Sequence, residues 1–153
     1  MSSVSAAKSM TNALSAAIVA SDKLPRTKVW GETDSAVSWQ GAFAVYGGNG
    51  TTASSAIVYE VEPAKRLGWH TDATEETQYI IAGQALSRRR NHAPSRPRQR
   101  VRAADADAHD LENIGKETLR AVAFFAAAMF TQDFDQVMLP PKSHILGTPN
   151  REG

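Results

Sequence analysis

Short apolar stretches with alternating polar positions recur along this chain, and each is bounded by residues that favour turns. Successive side chains of a strand face opposite sides of a sheet, so a period of two is typical of half-buried β-strands. The pattern predicts strands over residues 37–46, 55–61 and 78–83. The stretches G-G-N-G at 47–50 and P-A-K-R at 63–66 supply turns between them, because glycine, asparagine and proline suit turn backbones.

The apolar stretch that begins at Leu119, L-R-A-V-A-F-F-A-A-A-M-F, is less simple to interpret. Its alanines allow a helix, and its Val-Phe-Phe run allows a buried strand, so periodicity alone does not decide. The short turn before it favours a strand, because several strands separated by tight turns are typical of an all-β barrel or sandwich. Residues 22–34 read as an irregular segment with a turn at Leu24-Pro25, and the C-terminal tail has too many prolines for a helix.

Length and composition narrow the class of protein. The 153 residues, 42% apolar and 22% charged, fit one globular domain, which we place at 22–153 after an N-terminal tail or arm at 1–21. The chain has no cysteine, which excludes disulfides, zinc–thiolate sites and cysteine nucleophiles. No apolar run approaches the ~20 residues of a membrane span. The sequence therefore predicts a cytoplasmic protein without a membrane segment, and the short run A-L-S-A-A-I-V-A makes a signal peptide the weaker alternative.

The net charge of +1 hides one strongly basic segment. Seven arginines lie between Arg88 and Arg102, and without them the chain has ten basic and sixteen acidic residues. A charge run of this kind is usually a solvated surface loop. An RNA-binding patch is the alternative, but no aromatic residue is interleaved for base stacking, so a nucleic-acid partner is not expected.

Candidate chemistry concentrates in the stretch G-W-H-T-D-A-T-E-E. His70 and Asp72 share one face of a strand, Glu76 rejoins that face after a short bend, and H-D-L-E-N downstream supplies His109. Imidazole nitrogen together with carboxylate oxygen suits Fe, Mn, Zn or Ni. The alternative is that Asp72 and Glu76 lie on a solvated loop. His92 and His144 are interpreted as surface or hydrogen-bonded residues.

Of the neighbouring pair Gln78 and Tyr79, one should face the interior, and we favour Gln78 as the polar neighbour of the site. Tyr79 is more typical of a core residue, as are Trp69, Phe124 and Phe125.

The spacing of this stretch resembles the first motif of the cupin superfamily, G-x5-H-x-H-x3-E-x6-G. The corresponding residues here are Ala64, His70, Asp72, Glu76 and Gly83, with every spacing kept. Two identities differ, since Ala64 replaces a glycine and Asp72 replaces a histidine. The first replacement is a small change if the turn needs no positive φ.

The second cupin motif, G-x5-P-x-G-x2-H-x3-N, is matched only at its end. His109 and Asn113 fit, whereas Arg98, Ala104 and Ala106 stand where glycine, proline and glycine belong. The resemblance covers about residues 37–130.

The resemblance implies a small single-domain jelly-roll barrel, a double-stranded β-helix, with an N-terminal arm and a short C-terminal extension. It also implies a divalent transition metal (Fe, Mn, Zn or Ni) held by His70, Asp72, Glu76 and His109, with Gln78 and Tyr79 near a small organic substrate. The implied function is an enzyme of dioxygenase, isomerase or cyclase type, and the alternative is a non-catalytic small-molecule-binding protein. A homodimer is expected.

Residues 87–108 conflict with this resemblance. A cupin needs a turn and a strand between Gly83 and His109, and the Arg, Pro, Ala and Asp that dominate here are poor at both. A solvated loop is one interpretation. A frame-shifted segment of the gene is another, because a one-base shift would convert Arg98 to glycine and Ala104 to proline for suitable codons. Reading the coding DNA tests this hypothesis, which fails if no one-base shift yields an apolar strand.

Overall fold

The computed structural model describes residues 18–91 and 107–149. Their regular structure consists of ten strands and two short 3₁₀ turns, at Ser21–Lys23 and Gly47–Asn49. The strands are β1 (Thr27–Gly31), β2 (Ser38–Val45), β3 (Ser55–Val61), β4 (His70–Asp72), β5 (Glu76–Ala82), β6 (Ala85–Asn91), β7 (Asp107–Asn113), β8 (Leu119–Phe125), β9 (Thr131–Leu139) and β10 (Ser143–Gly147). No helix in this part of the chain has the length and apolarity that a bilayer span requires.

The strands form one antiparallel sheet in the order β5-β8-β3-β2-β1-β9-β4-β7-β6, with β10 beside β9. The sheet curls into a nearly closed barrel, which confirms the predicted all-β jelly-roll architecture. The short strand β4 lies between β9 and β7, so residues from three parts of the chain meet around it.

The apolar core follows the alternation that the sequence predicts. In β8 the side chains of Leu119, Ala121, Ala123 and Phe125 are buried, and those between them are more exposed. This pattern confirms a strand from Leu119, because a helix would have buried every third or fourth residue. Phe125 is core as predicted, whereas Phe124 lies on the outer face and is exposed.

Strands form in two further segments, the first of which read as irregular, whereas for the C-terminal tail the sequence excluded only a helix. Residues 27–31 form β1, and the C-terminal region forms β9 and β10. The strand β1 has five residues, too few for a clear period, and it is specified by pairing with β2 and β9. Pro140 and Pro141 lie between β9 and β10, where a missing backbone N–H interrupts neither strand.

The arginine-rich segment begins as a strand. Residues Ala85–Asn91 pair with Asp107–Asn113 as a regular antiparallel ladder, so the expectation of a poor strand is wrong for this part. Strand propensity depends strongly on context, and here the ladder and cross-strand ion pairs outweigh the weak propensity of arginine. Residues 92–106, with Arg98, Ala104 and Ala106, lie outside the described residues.

The turn before β4 needs the glycine that this chain lacks. Ala64 has φ 60, in the left-handed region, so its replacement of glycine is strained and is not the small change considered from the sequence. The second glycine of the motif is present as Gly83, and the backbone there requires glycine. Gly83 has φ 91, and a Cβ at this position would lie 2.9 Å from Leu119 Cα.

Candidate metal centre

The four side chains predicted as metal ligands meet inside the barrel. His70 and Asp72 alternate on β4, Glu76 begins β5, and His109 on β7 is the direct register partner of His70. One ligand atom from each residue lies within 4.8 Å of the other three. The separate solvated loop considered for Asp72 and Glu76 is therefore not what the structure shows.

His70 presents a free nitrogen to this cluster. The ring is 1% exposed, and its Nδ1 lies 2.7 Å from the carbonyl oxygen of Gly68. A carbonyl only accepts, so Nδ1 carries the proton and Nε2 keeps its lone pair. His70 Nε2 and Asp72 Oδ2 are both buried without a hydrogen-bond partner. Two orphaned buried acceptors are costly unless a cation joins them, so these residues fit a metal ion.

His109 bridges the two carboxylates. Its Nε2 lies 2.9 Å from Glu76 Oε2, within hydrogen-bond geometry, and 3.1 Å from Asp72 Oδ2. The second contact is a charge contact and not a hydrogen bond, because Asp72 Oδ2 lacks a donor. The imidazolium of His109 thus lies between two carboxylates.

The pKa values of the cluster follow from burial and mutual charge. Burial opposes the charged form of His109, but the attraction of the Asp72 and Glu76 carboxylates and the hydrogen bond to Glu76 outweigh burial and raise the pKa to about 10. Burial lowers the pKa of His70. Burial alone would raise the pKa of Asp72, yet His109 and His70 hold it below its ordinary value. Burial raises the pKa of Glu76, and the neighbouring Asp72 carboxylate raises it further.

Gln132 belongs to the site and was not predicted from the sequence. It is the register partner of Asp72 on β9, and its Nε2 donates to Asp72 Oδ1 over 2.8 Å in a buried position. Asp72 Oδ1 is therefore occupied, and Oδ2 is left for a ligand. The two residues are 60 positions apart, so no local pattern signals the contact.

A cavity of about 610 Å³ opens on the cluster. Alternate residues of three strands line its wall: Glu76, Gln78 and Ile80 from β5, Ala85, Ser87 and Arg89 from β6, and His109 and Leu111 from β7.

The predicted pair of substrate neighbours is divided between the two faces of β5. Gln78 lines the cavity, where it donates to Glu76 Oε1 over 2.9 Å and accepts from the Tyr59 hydroxyl over 3.3 Å. Tyr79 is 66% exposed and does not line the cavity. His144 hydrogen-bonds the carbonyl of Phe134, in accord with its interpretation, and His92 lies outside the described residues.

Comparison with known proteins gives evidence about the fold alone. No protein-family model and no curated protein matches the sequence. The structure is similar to that of a sugar phosphate isomerase from a cupin superfamily of Silicibacter pomeroyi, with TM-score 0.52 and 12% identity over 90% of this chain and 95% of that chain. A second similar structure, a candidate sugar phosphate isomerase from Acidithiobacillus ferrooxidans, has TM-score 0.47 and 17% identity over 73% of each chain. The first likeness shows that the chain has the cupin fold, as its motif spacing predicts.

Proposed function

We propose that this cupin-fold chain is a metal-binding enzyme that acts on a small organic substrate. His70, Asp72, Glu76 and His109 would hold one divalent transition metal. The observation that carries the proposal is the pair of buried acceptors, His70 Nε2 and Asp72 Oδ2, which lack hydrogen-bond partners within a four-ligand cluster beside an open cavity.

The residues around the cluster would set its ligands in place. When bound, a metal of this kind polarises an oxygen of the substrate as a Lewis acid. Gly68 fixes the tautomer and orientation of His70 through its carbonyl, and Gln132 leaves Asp72 one free oxygen. Such supporting hydrogen bonds commonly tune both metal affinity and ligand basicity. Gln78 holds Glu76 and presents its amide to the cavity, which suits a substrate hydroxyl or carbonyl.

Dioxygenase, isomerase and cyclase chemistry all fit such a centre. The name of the Silicibacter pomeroyi neighbour makes isomerisation the reaction type to test first. A panel of phosphorylated aldoses and ketoses, with metal-loaded protein, is the direct assay.

A non-catalytic role in binding a small molecule is the second candidate. The observation that favours it is Asp72, which stands where the cupin motif has its second histidine and so alters the ligand set. Saturable thermal stabilisation by a substrate that is never converted would favour this role. Turnover that requires the metal would reject it.

Metal analysis tests the proposal most directly. The protein is stripped with a chelator, loaded separately with Fe(II), Mn(II), Zn(II) or Ni(II), desalted and analysed for metal and protein. We expect about one ion per chain for at least one metal, and loss of that ion in His70→Ala. The control is His144→Ala, which removes an imidazole outside the cluster and should keep the metal. Wild-type protein without stoichiometric metal under every loading would contradict the proposal.

The cytoplasmic location predicted from the sequence belongs to the same proposal. Fractionation of cells that express the full chain should recover it with cytoplasmic marker proteins. Recovery with periplasmic or extracellular markers would contradict this part without bearing on the metal.

A further inference from the structure

Strand alternation divides the three consecutive arginines of β6 between two faces. Arg88 forms an ion pair with Glu112, and Arg90 forms one with Asp135 and lies with its guanidinium carbon 4.5 Å from the centre of the Trp69 ring. Arg89 faces the other way and lines the cavity. The outer two arginines therefore have structural partners, and the middle one reaches the site.

Arg89 lies next to the four-ligand cluster. It is the register partner of His109, so their backbones face each other directly across β6 and β7. Opposed residues of an antiparallel pair have Cβ atoms about 5 Å apart and project to the same face. Ser87 lies two residues earlier on that face and adds a hydroxyl to the same wall.

The guanidinium of Arg89 has no carboxylate partner within the described ranges 18–91 and 107–149, in contrast to Arg88 and Arg90. The carboxylates of Glu75 and Glu76 also line this cavity. Without a cation on the wall, they would repel an anionic ligand. A neutral ligand would gain little binding energy from this guanidinium. A carboxylate or phosphate, in contrast, can accept two hydrogen bonds from its planar N–H groups.

We infer that Arg89 recognises an anionic group of the substrate, a carboxylate or a phosphate, while a neighbouring oxygen of the same molecule faces the four-ligand cluster. The substrate class is thus a small oxyanion-bearing organic molecule. This inference rests on the proposed function, because it places the anion beside the proposed metal site. It also gives part of the arginine-rich segment a role that a solvated loop would not have.

Anion binding to the metal-loaded protein tests the inference. Calorimetric titrations use two probes, inorganic phosphate and malonate, against wild type, Arg89→Gln and Arg88→Gln. The two variants have the same net charge and differ in which face of β6 they alter. We expect Arg89→Gln to weaken binding of at least one probe about tenfold or more, and Arg88→Gln to leave it within about twofold. The probe with the larger loss identifies the group, phosphate or carboxylate.

Arg89→Lys is a second variant that keeps the positive charge and loses the planar pair of N–H donors. It should bind the anion with intermediate affinity. Thermal unfolding of each variant confirms that it is folded. Equal anion affinity in Arg89→Gln and wild type, or no binding of either probe by wild type, would overturn the inference. Metal content measured in the same samples keeps the two proposals apart, since loss of metal from wild type contradicts the proposed function and not the role of Arg89.

Discussion

The two oxygens of Asp72 have different surroundings, and this difference governs how the residue can bind a metal. Oδ1 accepts from Gln132 over 2.8 Å, while Oδ2 has no donor and faces His109. Asp72 can therefore offer one oxygen in a fixed direction, in the manner of the histidine that it replaces in the cupin motif. The hydrogen bond from Gln132 thus fixes the orientation of an aspartate that departs from the cupin motif.

Gln132→Leu should lower metal affinity by about 10-fold or more, because supporting hydrogen bonds to metal ligands typically contribute 10–100-fold. Competition with a chromophoric chelator measures the affinity. The matched control is Gln40→Leu, which removes a glutamine–carboxylate hydrogen bond, to Glu60, away from the cluster. Similar affinities for wild type and Gln132→Leu would show that Gln132 does not position Asp72.

The proton on His109 predicts how metal binding depends on pH. With its pKa raised to about 10, this ring is charged at pH 8 in the metal-free protein, and it must lose the proton to bind a metal. We expect at least about one proton to be released per metal bound at pH 8, and affinity to rise with pH up to about 10. Calorimetry in two buffers of different ionisation enthalpy counts the protons. His144→Ala should release the same number, and a heat that does not depend on the buffer would contradict the prediction.

The raised pKa of His109 also predicts how the folding stability of the metal-free protein depends on pH. The folded pKa of His109 lies above its ordinary value of 6.5, so its charge contacts stabilise the fold fully below about pH 6.5. This contribution is lost as pH rises through about 10. Bound metal removes it, because the ring is then neutral.

The turn before β4 contains a strained backbone conformation at Ala64. Ala64 has φ 60, which costs a non-glycine residue roughly 1 kcal/mol. Ala64→Gly should therefore stabilise the metal-free protein by up to about 1 kcal/mol, measured by urea unfolding. Ala36→Gly is the control: Ala36 has no positive φ, so glycine there should destabilise by about 0.5–1 kcal/mol. A destabilising Ala64→Gly would show that the turn gains more from the chain stiffness of alanine.

An ion pair with a buried carboxylate connects β7 to the segment that leads into β4. Asp110, 1% exposed, accepts from the backbone N–H groups of Gly68 and Leu111 and pairs with Arg66. The carbonyl of Gly68 in turn hydrogen-bonds His70 Nδ1, so this ion pair helps to position a predicted metal ligand. The sequence did not single out Asp110, because Arg66 and Gly68 lie in the segment before β4, 44 and 42 positions away along the chain.

Asp110→Asn should destabilise the protein by about 3 kcal/mol, since it leaves Arg66 without its buried partner. Asp34→Asn removes the other, more exposed partner of Arg66 and should cost about 1 kcal/mol or less. Thermal or urea unfolding measures both. Equal losses of stability in the two variants would mean that the burial of Asp110 does not strengthen its ion pair with Arg66.

The homodimer that the sequence resemblance implies is a proposal, and one outer surface of the molecule is the place to test it. Strand β5 ends the strand order of the described residues, and exposed apolar side chains of β5 and of its neighbour β8 form a patch there. Tyr79 is 66% exposed, Ile81 50% and Phe124 51%. Among residues 18–91 and 107–149 no strand pairs with this edge of β5, and proteins commonly cover such an edge and apolar patch by association.

We predict a dimer by light scattering coupled to size-exclusion chromatography, and a shift towards monomer in Tyr79→Glu and Phe124→Glu. Ile145→Glu places the same charge on an exposed apolar residue of β10, away from this patch, and should leave the mass unchanged. A monomeric wild type would contradict the homodimer. A dimer that all three variants preserve would place its interface elsewhere.

Features that depend only on neighbours along the chain could be predicted from the sequence. The alternation in β2, β3, β5 and β8 predicted those strands, and the spacing of His70, Asp72 and Glu76 predicted a shared face, because side-chain direction in a strand repeats every two residues. The five residues of β1 and the proline-containing tail lacked such a period, so their strands were not predicted.

The distant residues that complete the site could be identified only from the pairing of the strands. Register between β4 and β7 brings His109 to His70, register between β4 and β9 brings Gln132 to Asp72, and register between β6 and β7 turns Arg89 towards the cavity. A shift of one residue in any of these pairings would turn those side chains to the opposite face. Register is fixed by burial across the whole sheet, so no stretch of sequence contains it alone.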